Sequence, residues 1–183
     1  MWFLERAMNK QLIKPSGKEV FFNEEEIIVS KTDLTGKITY ANDVFLKIAG
    51  FREDEVLGMP HSLIRHPDMP RAVFKLFWDT LSNGHEIFAY VCNMCKNGDH
   101  YWVLAHATPS FDDRGKIVGY HSNRRVPERK SLEAAQAIYK VLVAEEHKHS
   151  DPRKGLEASF ALFVNLLNKA GKPYEEFIWS VGQ

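Results

Sequence analysis

Arg65-His66-Pro67-Asp68-Met69-Pro70 puts three ionisable side chains and two prolines into six consecutive positions, just ahead of an amphipathic segment. Proline fixes φ and starts turns, so Arg65, His66 and Asp68 stand on a stiff corner. Asp68 is placed to N-cap the following helix, with Pro70 in the first turn, where a missing N–H does no harm. A helix N-terminus beside an arginine and a histidine can hold an anion, a phosphate above all. The same residues equally suit a surface corner tied by a local Arg–Asp pair, and one motif does not separate the two.

Other chemistry is sparse. There are no paired carboxylates, no nucleophile–base arrangement, no phosphate-binding glycine loop and no metal cluster, which argues against an enzyme. The only cysteines, Cys92 and Cys95, fall in a strand-like run. Residues three apart on a strand point to opposite faces, so a disulfide is awkward and two buried thiols are expected. Alone, the pair is also only half a zinc site. His147-Lys148-His149 suits a helix C-terminus and needs no metal.

These residues must be positioned by strands and short helices. Ile87 to Cys95 and Tyr101 to Thr108 are rich in β-branched and aromatic residues and flank Asn97-Gly98-Asp99, a strong hairpin signal. Asp33 to Gly36 and Asp112 to Gly115 read as two further turns between strands. With Asn93 inward, Ile87, Ala89, Val91 and Cys95 share its face. Phe88, Tyr90, Cys92 and Met94 then face outward. So apolar an outer face requires a cover, expected from the N-terminal segment, a second subunit or a receptor.

Helical patterns flank this region. Residues 2–13 group Trp2, Phe3, Leu4, Ala7, Met8 and Leu12 on one side. Downstream, helices are expected over about residues 128–149, 155–170 and 174–181, with breaks at Ser150-Asp151-Pro152 and Gly171-Lys172-Pro173. The 24 basic side chains balance 24 acidic ones, without the basic run nucleic acid demands. No apolar stretch approaches the roughly 20 residues that span a bilayer, and no signal peptide is visible, so a cytoplasmic location is expected.

The order of two strands, short helices and three strands over residues 25–127 resembles the PAS sensor fold. Within it, Ala41-Asn42-Asp43, the Arg65–Pro70 corner, Phe74, Trp78 and Lys96-Asn97-Gly98-Asp99-His100-Tyr101-Trp102-Val103 resemble the FAD-holding PAS sensor of bacterial aerotaxis and energy-taxis receptors. The resemblance implies an α+β fold, a five-stranded antiparallel sheet with helices on one face and a cofactor between. It implies an N-terminal cap over residues 1–24 and a C-terminal helical extension over 128–183.

FAD is the implied cofactor, and the expected binding residues are Arg65, His66, Asp68, Asn42, Phe74, Trp78 and Asn93. Asn93 offers a donor and an acceptor to a flavin edge. Phe74 and Trp78, four apart, share a helix face, as plain core or as a cofactor wall. Asn42 opens a short helix, as its cap or as a flavin ligand, and His61 lines the entrance. Where the aerotaxis family usually has tryptophan, three residues after Gly84, this chain has Ile87. The Gly-x-Asn-Cys-Arg-Phe signature of photochemical flavin domains is absent, and Met59 to Ile64 supplies no cysteine.

The implied function is a redox or oxygen sensor, not a catalyst, reporting to a membrane-bound methyl-accepting-type receptor and forming a homodimer through its cap. The alternatives are a heme PAS sensor with His66 or His100 as axial ligand, and a cofactor-free interaction module.

Overall fold

A computed structural model describes residues 13–183, so the expected helix over residues 2–13 lies outside the described residues but for Ile13. The chain forms β1 (Ile28–Thr32), β2 (Ile38–Ala41), α1 (Asp43–Ala49), α2 (Glu53–Val56), a 3-10 turn (His61–Ile64), α3 (Arg71–Ser82), β3 (Ile87–Met94), β4 (His100–Phe111) and β5 (Ile117–Arg125). Three helices follow: α4 (Arg129–His147), α5 (Pro152–Ala170) and α6 (Tyr174–Ser180). The strands make one antiparallel sheet in the order β2-β1-β5-β4-β3.

The hairpin register is the one the Asn97-Gly98 turn and residue parity dictate. Ala89 pairs with Ala105, Val91 with Val103 and Asn93 with Tyr101 on the inner face, while Phe88–His106, Tyr90–Leu104 and Cys92–Trp102 alternate on the outer face. Gly98 takes φ 92° at the turn, a left-handed conformation that glycine adopts without a Cβ penalty. The cysteines diverge as expected. Both are buried and free, and the Cys95 thiol donates to the Ile48 carbonyl on the α1 side. Burial raises both thiols, Cys95 to about 11.

The cover of the outer face departs from expectation: the chain's own C-terminal helices supply it. Leu132, Ala135, Tyr139, Leu142 and Glu146 recur at spacings of three and four along α4, forming one buried stripe. Tyr139 donates its hydroxyl to the Tyr90 carbonyl at 2.9 Å, and Tyr174 donates to the Phe88 carbonyl at 2.7 Å. Both hydroxyls close polar groups of β3, an edge strand that would otherwise invite pairing. The break before α5 is where the sequence puts it, but the helix starts at Pro152, with Asp151 accepting from the Arg153 N–H. No described helix is long and apolar enough to cross a membrane.

Candidate functional site

The inner face of the sheet buries polar groups without satisfying them. Ser30 and Thr32 of β1, Ser122 and Arg124 of β5, Tyr101 of β4 and Asn93 of β3 share that face by register. Arg124 is 3% exposed and has no carboxylate partner among the described residues. Its Nη2 donates to Ser30 Oγ and to His61 Nε2, both at 2.7 Å, while Nη1 is buried with no partner. Its guanidinium lies 5.8 Å from the Phe45 ring centroid.

Burial lowers Arg124 to about 10. Burial first, and then Arg124 itself, drives His61 down to about 3. His61 is therefore neutral, with Nε2 as acceptor and the ring proton on Nδ1. It is half-buried, beside Arg124 and Ser30.

Asn93 Nδ2 and Tyr101 Oη, on a cross-strand pair, are also buried and unpartnered, as are Thr32 Oγ1 and Ser122 Oγ. Asn93 lies close enough to act on the Tyr101 phenol, yet no hydrogen bond of acceptable geometry joins them, and burial raises the phenol's pKa. Each buried, unsatisfied group costs about 1–3 kcal/mol. Beside them Ala89, Ala105 and Ala107 make a low apolar floor. Such donors beside small apolar side chains suit a ligand that brings hydrogen-bond acceptors.

The proline corner runs alongside β3. Arg65 bridges to Asn93, His66 N–H donates to the Cys92 carbonyl at 3.4 Å, and Cys92 N–H donates to Met69 Sδ at 3.3 Å. Alternation along this strip separates Arg65 from its neighbour. Arg65 lies over the Phe74 ring at 4.0 Å and lines a cleft of about 420 Å³ with Arg71, Glu146, His147 and His149. Burial lowers Arg65 to about 10, with Glu146 pulling the other way.

His66 and Asp68 instead line a second cleft of about 420 Å³ on the outer face, with Cys92, His100 and Trp102. The His66 ring meets His100 at 5.5 Å, and its Nδ1 accepts from the Asp68 N–H at 3.2 Å. Burial lowers the His66 pKa against the pull of Asp68.

The expected site residues are thus divided. Asn93 and Trp78 are on the inner side, where Trp78 meets Tyr120 at 5.4 Å, while Phe74 is taken by Arg65. Asn42 is a structural cap: its Oδ1 accepts from Val29 and Phe45 N–H groups and its Nδ2 donates to the Ile27 carbonyl.

Asp68 does not cap α3. Pro70 occupies the N-cap position itself, and the side chain of Asp68 is 84% exposed. The cap is Glu146, whose Oε1 accepts from the N–H groups of Arg71 at 2.7 Å and Ala72 at 3.2 Å. Its Oε2 accepts from Arg71 Nε at 2.7 Å. The helix N-terminus proposed for a phosphate therefore already holds a carboxylate. Sequence reasoning missed Arg124 and Glu146. Parity along β5 could have flagged Arg124 as inward, two and four residues beyond Ser122 and Tyr120.

The comparisons with known proteins agree with this fold. The PAS fold family matches residues 38–124. The aerotaxis receptor of Escherichia coli is 42% identical over 137 residues, 72% of this chain and 27% of the receptor. This chain thus spans about a quarter of that relative's length. The dark-state LOV domain of the blue-light photoreceptor Aureochrome1 matches with TM-score 0.54 at 23% identity, over 62% of this chain and 85% of that one, a likeness of fold. A light-oxygen-voltage domain studied with a flavin analogue matches with TM-score 0.51 at 25% identity, over 67% of this chain and 88% of that one. The chain carries a PAS domain on an α+β fold, and that domain belongs with the sensor of the aerotaxis-receptor family.

Proposed function

We propose that the chain is a flavin-holding redox sensor, with FAD as its flavin, and that it passes its state to a partner receptor. The observation that carries this reading is the set of buried, unpartnered groups on the inner face, Arg124 Nη1, Asn93 Nδ2 and Tyr101 Oη, beside the alanine floor. A flavin bound there supplies reversible uptake of electrons and a proton. Asn93 would donate its amide to the ring's polar edge, and Arg124, a cation with no internal counter-charge, would favour whichever ligand state is more negative. Arg65, held over Phe74 at the rim of β3, would serve the phosphate side.

The aerotaxis receptor's likeness and the flavin-analogue LOV domain support a flavin, and the former supports a methyl-accepting-type membrane receptor as partner and cytoplasmic residence. For the relatives' photochemistry this chain lacks a suitable thiol: Cys92 and Cys95 belong to the β3 end of the sheet, and His61–Ile64 contains none. Against heme, His66 and His100 line the outer cleft, on the side of the sheet away from Arg124, Asn93 and Tyr101, although His100 Nδ1 is also buried without a partner. His61 reaches the inner side with Nε2 already held by Arg124.

The test is the absorption spectrum of the purified chain before and after anaerobic reduction, with the released cofactor identified after denaturation. Two flavin bands that bleach on reduction, and FAD in the supernatant, are expected. A Soret band would replace this reading with heme. A colourless protein that refuses both FAD and heme would leave an interaction module. Asn93→Ala and Arg65→Ala are expected to lose flavin while staying folded.

A further inference from the structure

Helix α3 carries Phe74, the platform for Arg65, yet its N-terminus has no cap of its own: Pro70 offers no side-chain acceptor. The missing acceptor arrives from 75 residues away, where Glu146 on α4 takes the Arg71 and Ala72 N–H groups and the Arg71 guanidinium together. Glu146 is 6% exposed, and the same guanidinium donates through Nη1 to the Pro152 carbonyl at 2.8 Å, so one arginine ties α3 to both α4 and α5. Gly155 completes the junction. A Cβ there would meet the Glu146 carbonyl oxygen at 2.6 Å, so the helices approach this closely only with glycine.

We propose that Glu146 is a positioning residue of the cofactor site: by capping α3 from the C-terminal helices, it couples their docking to the corner where Arg65 sits on Phe74. The inference rests on the flavin reading for its ligand. A bare helix N-terminus frays in its first turn, which here contains Phe74. Without Glu146 the Phe74 ring loses its fixed place, and Arg65 loses the surface that holds it at the rim of β3. Coupling of this kind is reciprocal: whatever steadies Arg65 and Phe74 from the cofactor side must also steady α4 and α5.

The experiment is hydrogen exchange read by mass spectrometry on the full chain, with and without FAD, together with the FAD dissociation constant. In Glu146→Ala, which removes the acceptor, exchange is expected to rise together over Arg71–Phe74, the end of α4 and the start of α5, with β1, β2 and β5 unchanged. The dissociation constant is expected to rise about tenfold. In the unmutated chain, FAD should slow exchange over both regions.

Looser helices with unchanged exchange at Arg71–Phe74 and unchanged FAD affinity would overturn the coupling, as would a variant in which nothing moves. Should Glu146→Ala not fold, Gly155→Ala displaces the same junction from the other side and must give the same paired response. If the chain takes up no flavin, the flavin reading fails alone. The coupling is then decided by whether Arg71–Phe74 and the C-terminal helices gain exchange together.

Discussion

The two faces of the sheet differ in how much buried polarity they leave unmet: among the described residues the outer face leaves His100 Nδ1, the inner face a whole cluster. On the outer face Tyr139 and Tyr174 deliver hydroxyls to the Tyr90 and Phe88 carbonyls, and the stripe from Leu132 to Glu146 fills the apolar surface between them. On the inner face an arginine, an asparagine, a tyrosine and two hydroxyl residues are buried with atoms left over. Native cores rarely tolerate such a concentration of unmet donors and acceptors. A face that the chain finishes by itself is built for stability. On the proposed reading, the face that the chain leaves unfinished awaits a ligand, and its groups should cost stability until that ligand arrives.

The largest effect expected belongs to the finished face. Leu142 is fully buried under α4, and Leu142→Ala should cost about 3 kcal/mol through lost burial and a residual cavity. Urea unfolding would read this as a lower midpoint at unchanged slope. A loss below about 1 kcal/mol would mean the C-terminal helices are not part of the cooperative core.

Acid should act next, through the unfinished face. His61 has a folded pKa of about 3 against 6.5 for the free side chain. Below pH 6.5 the unfolded chain binds a proton that the folded chain refuses. The contribution is therefore complete above 6.5, declines as pH falls, and levels out below about 3. Between pH 6.5 and 5 the loss is about 2 kcal/mol. Burial lowers His66 and His121 as well, with the same sign, so His61→Gln should shrink the acid slope without abolishing it. Melting temperatures in matched buffers from pH 5 to 8 would show it, and an identical slope in the variant would remove His61 from the account.

Much of this contrast was legible in the sequence, and the reason is local. The Asn97-Gly98 turn marks the hairpin and parity along β3 sorts Asn93 from Cys92, while the resemblance to PAS sensors is what put Tyr101 with Asn93 and Trp102 with Cys92, as the pairing shows. The division of the proline corner was not legible, because Arg65 and His66 part only once the strip lies against β3. Nor was the α3 cap: Asp68 has the right type and spacing, but Glu146 arrives through space from the far helix. Arg124 escaped notice for a related reason. A lone arginine in a polar stretch reads as surface, and only the pairing of Ile28 with Arg124 places it beneath α1 and against Phe45.

Arg124 also gives the comparison its sharpest sign. Replacing a buried cation that has no counter-charge among the described residues by an apolar side chain of similar volume removes a desolvation penalty. Ser30 and His61 stay within 3.1 Å of each other and can satisfy one another. Arg124→Leu is thus expected to stabilise the cofactor-free chain by about 1–2 kcal/mol, a rise of a few degrees in melting temperature, while abolishing flavin retention. A destabilised variant would show that the inner face is finished after all. Because Arg124 itself depresses His61, the same variant should raise the folded His61 pKa toward 6.5 and so flatten the acid slope.

The smallest effect tests the outer face where it is most fully paired. Tyr139→Phe keeps the ring against Trp102 but leaves the Tyr90 carbonyl without its donor, which costs about 1 kcal/mol. That carbonyl belongs to an edge strand, so the loss has a second reading beyond stability: faster amide exchange along β3 and more self-association at high concentration. If the hydroxyl only decorates a well-packed ring, the melting temperature and the β3 exchange will both stay put. A measured loss near 1 kcal/mol with β3 exchange raised locally, and no change at β1, would establish that α4 closes the sheet edge by hydrogen bonding as well as by covering it.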